Sequence, residues 1–379
     1  MRTRLLATVL AVIAAGGGVL VLRQHAGVER RAAGSSANAA VPPARPAAAP
    51  ASSRQWRRAW TYPAGAPLTG APASLGNGWV VTTGKGRVAA LDGNGRELWS
   101  RSFTNMAFAG SAAVAGAVVV VADGDGRVVG LEAASGRTLW EKTVPGALRH
   151  GPLAVRTGDS WSVVVLDSEA GVLRCLDPKD GREIWHSEKT NRTDGQAASD
   201  GRLMAYGNCD AAVYLFDATN GVSLGSGQVG AEAQMAGGVL MLDGRVYGGT
   251  RAGELVCVDA ETQTLAWHVP VSRGEAFATP VAARGLVVMG TAEGKVAAYD
   301  GKSGAARWSV SLSNAVSGLC VMDDAVFAVA GGGLQGLRLL DGGRFAALPI
   351  GDDVAGPACN GRAVSVADDG GTVIVVAGE

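Results

Sequence analysis

From residue 55 onward, apolar and polar positions alternate in short runs, and the same order of runs keeps returning. A β-branched or aliphatic run opens each turn of the pattern, at 79–83, 118–121, 163–166, 203–206, 246–247, 286–289, 326–329 and 363–366. A glycine-bearing turn follows, as at 84–86, 123–126 or 293–294. A second apolar run then ends on an acidic residue, and those residues (Asp92, Glu132, Asp177, Asp217, Asp259, Asp300 and Asp341) are spaced 40–45 apart. After the acid come a second turn and a run that finishes on tryptophan: Gly95 to Trp99, Gly136 to Trp140, Gly181 to Trp185, Gly304 to Trp308, and, without the glycine, Asp259 to Trp267. Two copies lack the tryptophan. Asp217 with Gly221 ends at Gly225, and Asp341 with Gly343 runs into Phe345. Short alternating runs bounded by Gly and Asp predict strands joined by hairpins. A shorter run rich in small residues precedes each pair (110–114, 151–155, 279–282, 318–321) and suits a crowded centre where inner strands converge. Four strands per period of about 40 residues predict a propeller or an array.

The two ends of the repeating region decide the count. The last repeat supplies strands at 356–359, 363–367 and 372–377, and the fourth, tryptophan-bearing strand is missing. The stretch 55–63, with Trp60 in the phrase of Trp140 and Trp267, reads as a fourth strand with nothing before it. The N-terminal strand is therefore expected to complete the last blade and close the ring, which removes exposed sheet edges. Seven full repeats and one composite blade give an all-β, eight-bladed β-propeller over 55–379.

Upstream, Arg2 and Arg4 precede an uncharged apolar run, 5–22. Its 18 residues exceed an ordinary signal core and reach the lower limit for spanning a bilayer. An uncleaved signal anchor is expected, a single helix with its N-terminus held in the cytoplasm by the arginines; cleavage of 1–22 would instead release a secreted protein. No Cys follows the run as a lipid attachment point. Residues 23–54, rich in Ala, Pro, Ser and Arg, are expected to be a disordered, semi-extended tether.

Composition narrows the function. With 34 basic and 34 acidic residues the chain has no net charge, and a nucleic-acid binder would show a basic excess. Most of the 56 glycines lie in the repeats, where they mark turns. Five cysteines (175, 209, 257, 320, 359) form no CxxC pair. Cys175 and Cys257 each stand two residues before a repeat acid, as small buried hydrophobes. Cys320 and Cys359 fall at similar points of the last two repeats, with a disulfide there as the minor alternative.

The phrase acid-x-x-x-Gly-x-x-x-Trp at Glu132/Gly136/Trp140, Asp177/Gly181/Trp185 and Asp300/Gly304/Trp308 resembles the docking motif of the PQQ-like (quinoprotein) propeller-repeat family. Asp92/Gly95/Trp99 is one residue short. The resemblance implies that each tryptophan packs against the next blade, with Trp60, Trp99, Trp140, Trp185, Trp267 and Trp308 as docking residues. Size, single domain and export signal most resemble the BamB-like outer-membrane assembly factors, from which the missing lipid-attachment Cys departs. Quinoprotein alcohol dehydrogenases share the repeat; they imply adjacent cysteines over the quinone, a tryptophan platform and Ca²⁺ ligands. No adjacent Cys pair exists here.

The acidic pairs Asp123/Asp125, Asp323-Asp324, Asp352-Asp353 and Asp368-Asp369 lie in turns, where Asp belongs for backbone reasons. The four histidines are His25, His150, His186 and His268, and no HxxxH or HExxH spacing occurs. No catalytic, metal or cofactor residue is therefore assigned. The third repeat is the longest, with insertions at 156–160 and 186–195. Loops on a rigid scaffold often carry function, and Arg149, His150, Lys189, Arg192 and Arg273 are the candidates for partner contact. The sequence thus predicts a non-catalytic scaffold in the periplasm, anchored in the cytoplasmic membrane by its N-terminal helix. It would be a monomer within a larger complex, binding envelope proteins and no nucleic acid, in outer-membrane protein assembly or secretion. The alternatives are a PQQ- or other ligand-binding oxidoreductase-like module, or a solute sensor using the central funnel.

Overall fold

The computed structural model describes residues 50–230, 233–276, 278–351 and 353–379. The expected anchor at 1–22, the tether as far as residue 49, and His25 and Asp352 lie outside them. Ala48–Glu379 form one compact unit. The described residues fold as eight four-stranded antiparallel sheets. Seven are built from consecutive strands: blade 1 spans 73–102, blade 2 113–143, blade 3 153–186, blade 4 198–228, blade 5 235–270, blade 6 281–311 and blade 7 316–349. Blade 8 takes Asp353–Cys359, Ala363–Asp368 and Thr372–Gly378 from the C-terminal end and Trp56–Pro63 from the other, so the N-terminal strand closes the ring. Its register pairs Trp56 with Gly378, Trp60 with Val375 and Tyr62 with Val373. The packed structure extends upstream of residue 55 as a 3-10 turn at Ala51–Ser53, with Ala51 fully buried. Among the described residues no helix is long and apolar enough to cross a membrane.

The alternation in the sequence becomes two-sided burial. The second strands, such as Val118–Ala122 and Leu286–Gly290, are buried along their whole length. Each of the eight seams between blades holds one hydrophobic cluster. That between blades 2 and 3, for example, contains Val120, Trp140, Val163 and Leu176. Core strands covered on both faces need this continuous apolar character, whereas the outermost strands alternate, as in Thr264–Pro270.

The propeller has two unlike ends. The upper face carries the connections between blades and the turns between second and third strands, tied together by backbone bonds such as Val144 N–H to the Gly126 carbonyl (2.8 Å) and Leu312 N–H to the Gly294 carbonyl (2.6 Å). The lower face carries the other turns, joined by bonds such as Ala133 N–H to the Ala117 carbonyl (2.9 Å).

The tryptophan motif lies toward the lower face and joins neighbouring blades. Indole Nε1 donates to a carbonyl of the following blade in Trp60 (Gly93, 2.9 Å), Trp99 (Ala133, 2.8 Å), Trp140 (Pro178, 2.8 Å), Trp267 (Gly301, 3.1 Å) and Trp308 (Leu339, 2.7 Å). Each ring covers a glycine of that blade's turn. A Cβ on Gly136 would lie 2.4 Å from the Trp99 ring, and one on Gly221 2.3 Å from the Trp185 ring. These glycines also have positive φ, 67° at Gly136 and 73° at Gly221, so two independent constraints select glycine. The repeat acids fix the same turn: Asp92 Oδ1 accepts the N–H groups of Asn94 and Arg96 (both 2.9 Å). In blade 7 the glycine beneath Trp308 is Gly342 (φ 72°), one residue before the Gly343 that the spacing suggested.

Cys320 and Cys359 form a disulfide, which corrects the preference for leaving them reduced. The inner strands of adjacent blades converge on the axis and bring residues 39 apart in sequence to a Cα–Cα distance of 6.0 Å. Linear spacing does not reveal that convergence. Cys175 and Cys257 are buried free thiols paired across their sheets with Trp185 and Trp267, the equivalent positions that the repeat implied.

Candidate partner-binding face

At the upper ends of the inner strands the backbones of neighbouring blades touch. A Cβ on Gly151 would sit 2.0 Å from the Ser111 carbonyl oxygen, and one on Gly195 2.0 Å from the Gly237 carbonyl oxygen. The residue before each of these glycines therefore stands at the inner rim of the upper face. In two blades that residue is ionisable, His150 and Asp194.

Asp194 is the hub of a charge cluster drawn from several blades. Its carboxylate accepts hydrogen bonds from Arg192 (3.0 Å) and Arg251 (2.9 Å), and Arg149 stands 3.9 Å away. Burial alone would raise the Asp194 carboxyl, but the hydrogen bonds from Arg192 and Arg251 outweigh it and hold the group below the usual carboxylate range. Arg251 reaches onward to Glu275 (3.1 Å), and Arg149 to Glu169. The Cys209 thiol lies 3.9 Å from Asp194, and burial pushes it up, away from the reactive thiolate. One carboxylate thus orders three guanidinium groups, each of them partly exposed. Such an array can grip carboxylates or carbonyls of another protein through bidentate hydrogen bonds.

Of the five residues that the sequence singled out, Arg149, His150 and Arg192 come together at Asp194. His150 Nε2 bonds the Asp194 main-chain carbonyl at 3.0 Å. Lys189 and Arg273 are exposed on the same face. Arg273 follows Ser272, and its N–H donates to Glu293 (3.0 Å). Asp194, Arg251, Glu169 and Glu275 were not singled out. His150 and Asp194 share one position in the repeat, each preceding a rim glycine, and that shared phase was the available signal.

Burial, with Arg149 adding to it, pushes the His150 imidazole below its ordinary value although the Asp194 contacts work the other way. The unfolded chain therefore takes up this proton first as pH falls, and the stability held by neutral His150 is complete above about pH 6.5 and lost on acidification through that value. A His150→Gln variant is expected to lose less stability than wild type between about pH 7.5 and about pH 5.5 in urea titrations. Equal losses would show that His150 does not contribute.

Several acids of the other turns, and both remaining described histidines, have structural partners. Asp123 Oδ1 accepts the N–H groups of Asp125 (3.1 Å) and Arg127 (2.8 Å). Ser52 N–H donates to Asp324 (3.0 Å), and Arg54 pairs with Asp323 (2.7 Å). His186 and His268 bond Glu183 (2.8 Å) and Glu254 (2.9 Å) on separate blades. Among the described residues no three His, Cys, Asp or Glu side chains are grouped to hold a metal ion.

Comparison with known proteins separates fold from lineage. A relative from Moranella endobia, "Outer membrane protein assembly factor BamB", is 24% identical over 149 residues, covering 39% of this chain. The chain spans 30% of that relative's length and at most half of the other assembly factors it matches. The crystal structure of BamB from Moraxella catarrhalis superposes with a TM-score of 0.69 at 17% identity, covering 85% of this chain and all of the other. A quinohemoprotein alcohol dehydrogenase from Comamonas testosteroni gives 0.68 at 15% identity, covering 86% of this chain and 77% of that one. At such identities these two likenesses establish the propeller alone. The family model described as outer membrane protein assembly factor BamB matches residues 47–208 and again 209–379. Since the two matches run through every blade, the chain belongs to the BamB family of outer membrane protein assembly factors.

Proposed function

We propose that this protein is a non-catalytic scaffold of the cell envelope whose upper face binds a protein partner in outer-membrane protein assembly. The observation that carries this reading is the Asp194 cluster, which gathers Arg149, Arg192 and Arg251 at the inner rim. Lys189 and Arg273 add two exposed cations to the same face. Family membership supplies the assembly context. The Cys320–Cys359 disulfide favours an oxidising, extracytoplasmic compartment. The proposed topology is an anchor at 1–22 in the cytoplasmic membrane, a tether from 23 and the propeller beyond.

A photo-crosslinking residue at Lys189, with a second at Arg182 on the lower face as reference, tests the reading in cells. Crosslinks from position 189 to an outer-membrane assembly protein, lost in an Arg192→Glu variant, are the expected result. The expected loss is about tenfold or more, because reversing one charge of a hydrogen-bonded array also sets it against Asp194. Equal crosslinking from position 182, or no effect of Arg192→Glu, would overturn the assignment of the upper face.

A further inference from the structure

The opposite face holds a pocket flanked by exposed cations. At the seam of blades 6 and 7, Arg284, Leu286, Asp300, Lys302, Arg307 and Leu340 line an open pocket of about 350 Å³. Arg307 is paired with Asp300 (2.6 Å), while Arg284 and Lys302 are exposed beside them. Leu340 is 64% exposed, the most exposed of the large apolar side chains among the described residues. A bare leucine beside two exposed cations, with Asp300 paired to Arg307 and Asp341 to Arg338 (3.0 Å), suits a surface that offers both apolar depth and negative charge.

The described chain begins next to this site. Ser52 N–H donates to the Asp324 carboxylate (3.0 Å), and the Asp324 carbonyl accepts the N–H of Leu339 (2.8 Å), the neighbour of Leu340. Residues 1–49 precede this point and include the apolar run 5–22 behind Arg2 and Arg4. The chain therefore enters the propeller at the edge of the cationic pocket, on the face opposite the Asp194 cluster.

We infer that the lower face at blades 6 and 7 rests on a bilayer bearing anionic phospholipid headgroups, with Arg284 and Lys302 on the phosphates and Leu340 in the headgroup layer. The inference extends the envelope reading above but does not depend on its partner. It sets the orientation: lipid below, protein partner above. This contact presents the upper face away from the membrane.

The propeller unit 48–379, which closes its own ring, can be tested without the anchor by flotation with vesicles. It is expected to bind phosphatidylcholine vesicles containing phosphatidylglycerol and not vesicles of phosphatidylcholine alone. Lys302→Gln and Arg284→Gln are each expected to lower the partition coefficient about fivefold, and Leu340→Gln about tenfold. Arg182→Gln removes one exposed cation of the lower face at blade 3 and is expected to leave binding unchanged. Equal binding to both vesicle types, or a fall with Arg182→Gln as large as with Lys302→Gln, overturns the inference. Vesicle binding that persists in an Arg192→Glu propeller separates this contact from the protein-binding face.

Discussion

A Cys320→Ala/Cys359→Ala double variant will unfold at a lower urea concentration than wild type, with a stability loss of about 4 kcal/mol, and dithiothreitol will reproduce that loss in the wild-type protein. The cross-link closes a loop of 39 residues, and removing it returns that conformational freedom to the unfolded chain. Its position makes the loss matter more than the number alone suggests. The seam between blades 7 and 8 has no tryptophan dock, because Phe345 stands where the repeat calls for Trp. Blade 8 also has no turn to receive one, since its outer strand comes from the other end of the chain. The seam relies instead on an aromatic line and the disulfide. Trp56 meets Phe327 at 4.5 Å, Phe327 meets Phe345 at 5.8 Å, and Trp56 Nε1 donates to the buried Ala51 carbonyl (2.8 Å). A Cys175→Ala variant serves as the reference: it removes a buried thiol that makes no cross-link, and it should remain sensitive to reductant. A wild-type midpoint that dithiothreitol does not move would contradict the assignment.

The repeat made most of the fold legible. Acid, glycine and tryptophan recur because one turn geometry recurs, so their period counted the blades, and the missing strand at one end matched the orphan strand at the other. What linear order hid were relations between blades. Gly225 in place of Trp and Gln263 in place of Gly read as two separate defects. They form one exchange: Gln263, at φ 59°, extends its amide over Gly225 and donates to the Leu224 carbonyl, filling the space that a blade 4 tryptophan would occupy. The Asp194 hub was hidden for the same reason. Its arginines at 149, 192 and 251 belong to three different loops, and only the closed ring makes them neighbours. The loop residues singled out in the sequence include Arg149, His150 and Arg192, which the closed ring gathers, but not the carboxylate that holds them.

That exchange at blades 4 and 5 leads to a prediction at an intact dock. Trp140 is 8% exposed, donates to the Pro178 carbonyl and lies over Gly181, where a Cβ would sit 2.5 Å from the ring. Trp140→Ala is expected to cost about 3–5 kcal/mol, since it empties a seam cluster that also holds Val120 and Val163. Gly181→Ala carries two penalties. One is steric, from the ring above it, and overpacking of this kind costs about 1–3 kcal/mol. The other is conformational, because φ is 70°, and an L-residue there costs about 1–2 kcal/mol. With Trp140 already removed the steric part disappears and only the conformational part remains. The double variant should therefore be more stable than the sum of the single losses implies, by about 1–3 kcal/mol of coupling. Urea unfolding of the four proteins measures this directly. Strict additivity would mean that tryptophan and glycine recur in phase for separate reasons. The predicted coupling would mean that each glycine is dictated by the ring above it, and that a blade losing its tryptophan frees the next blade to replace its glycine, as blades 4 and 5 have done.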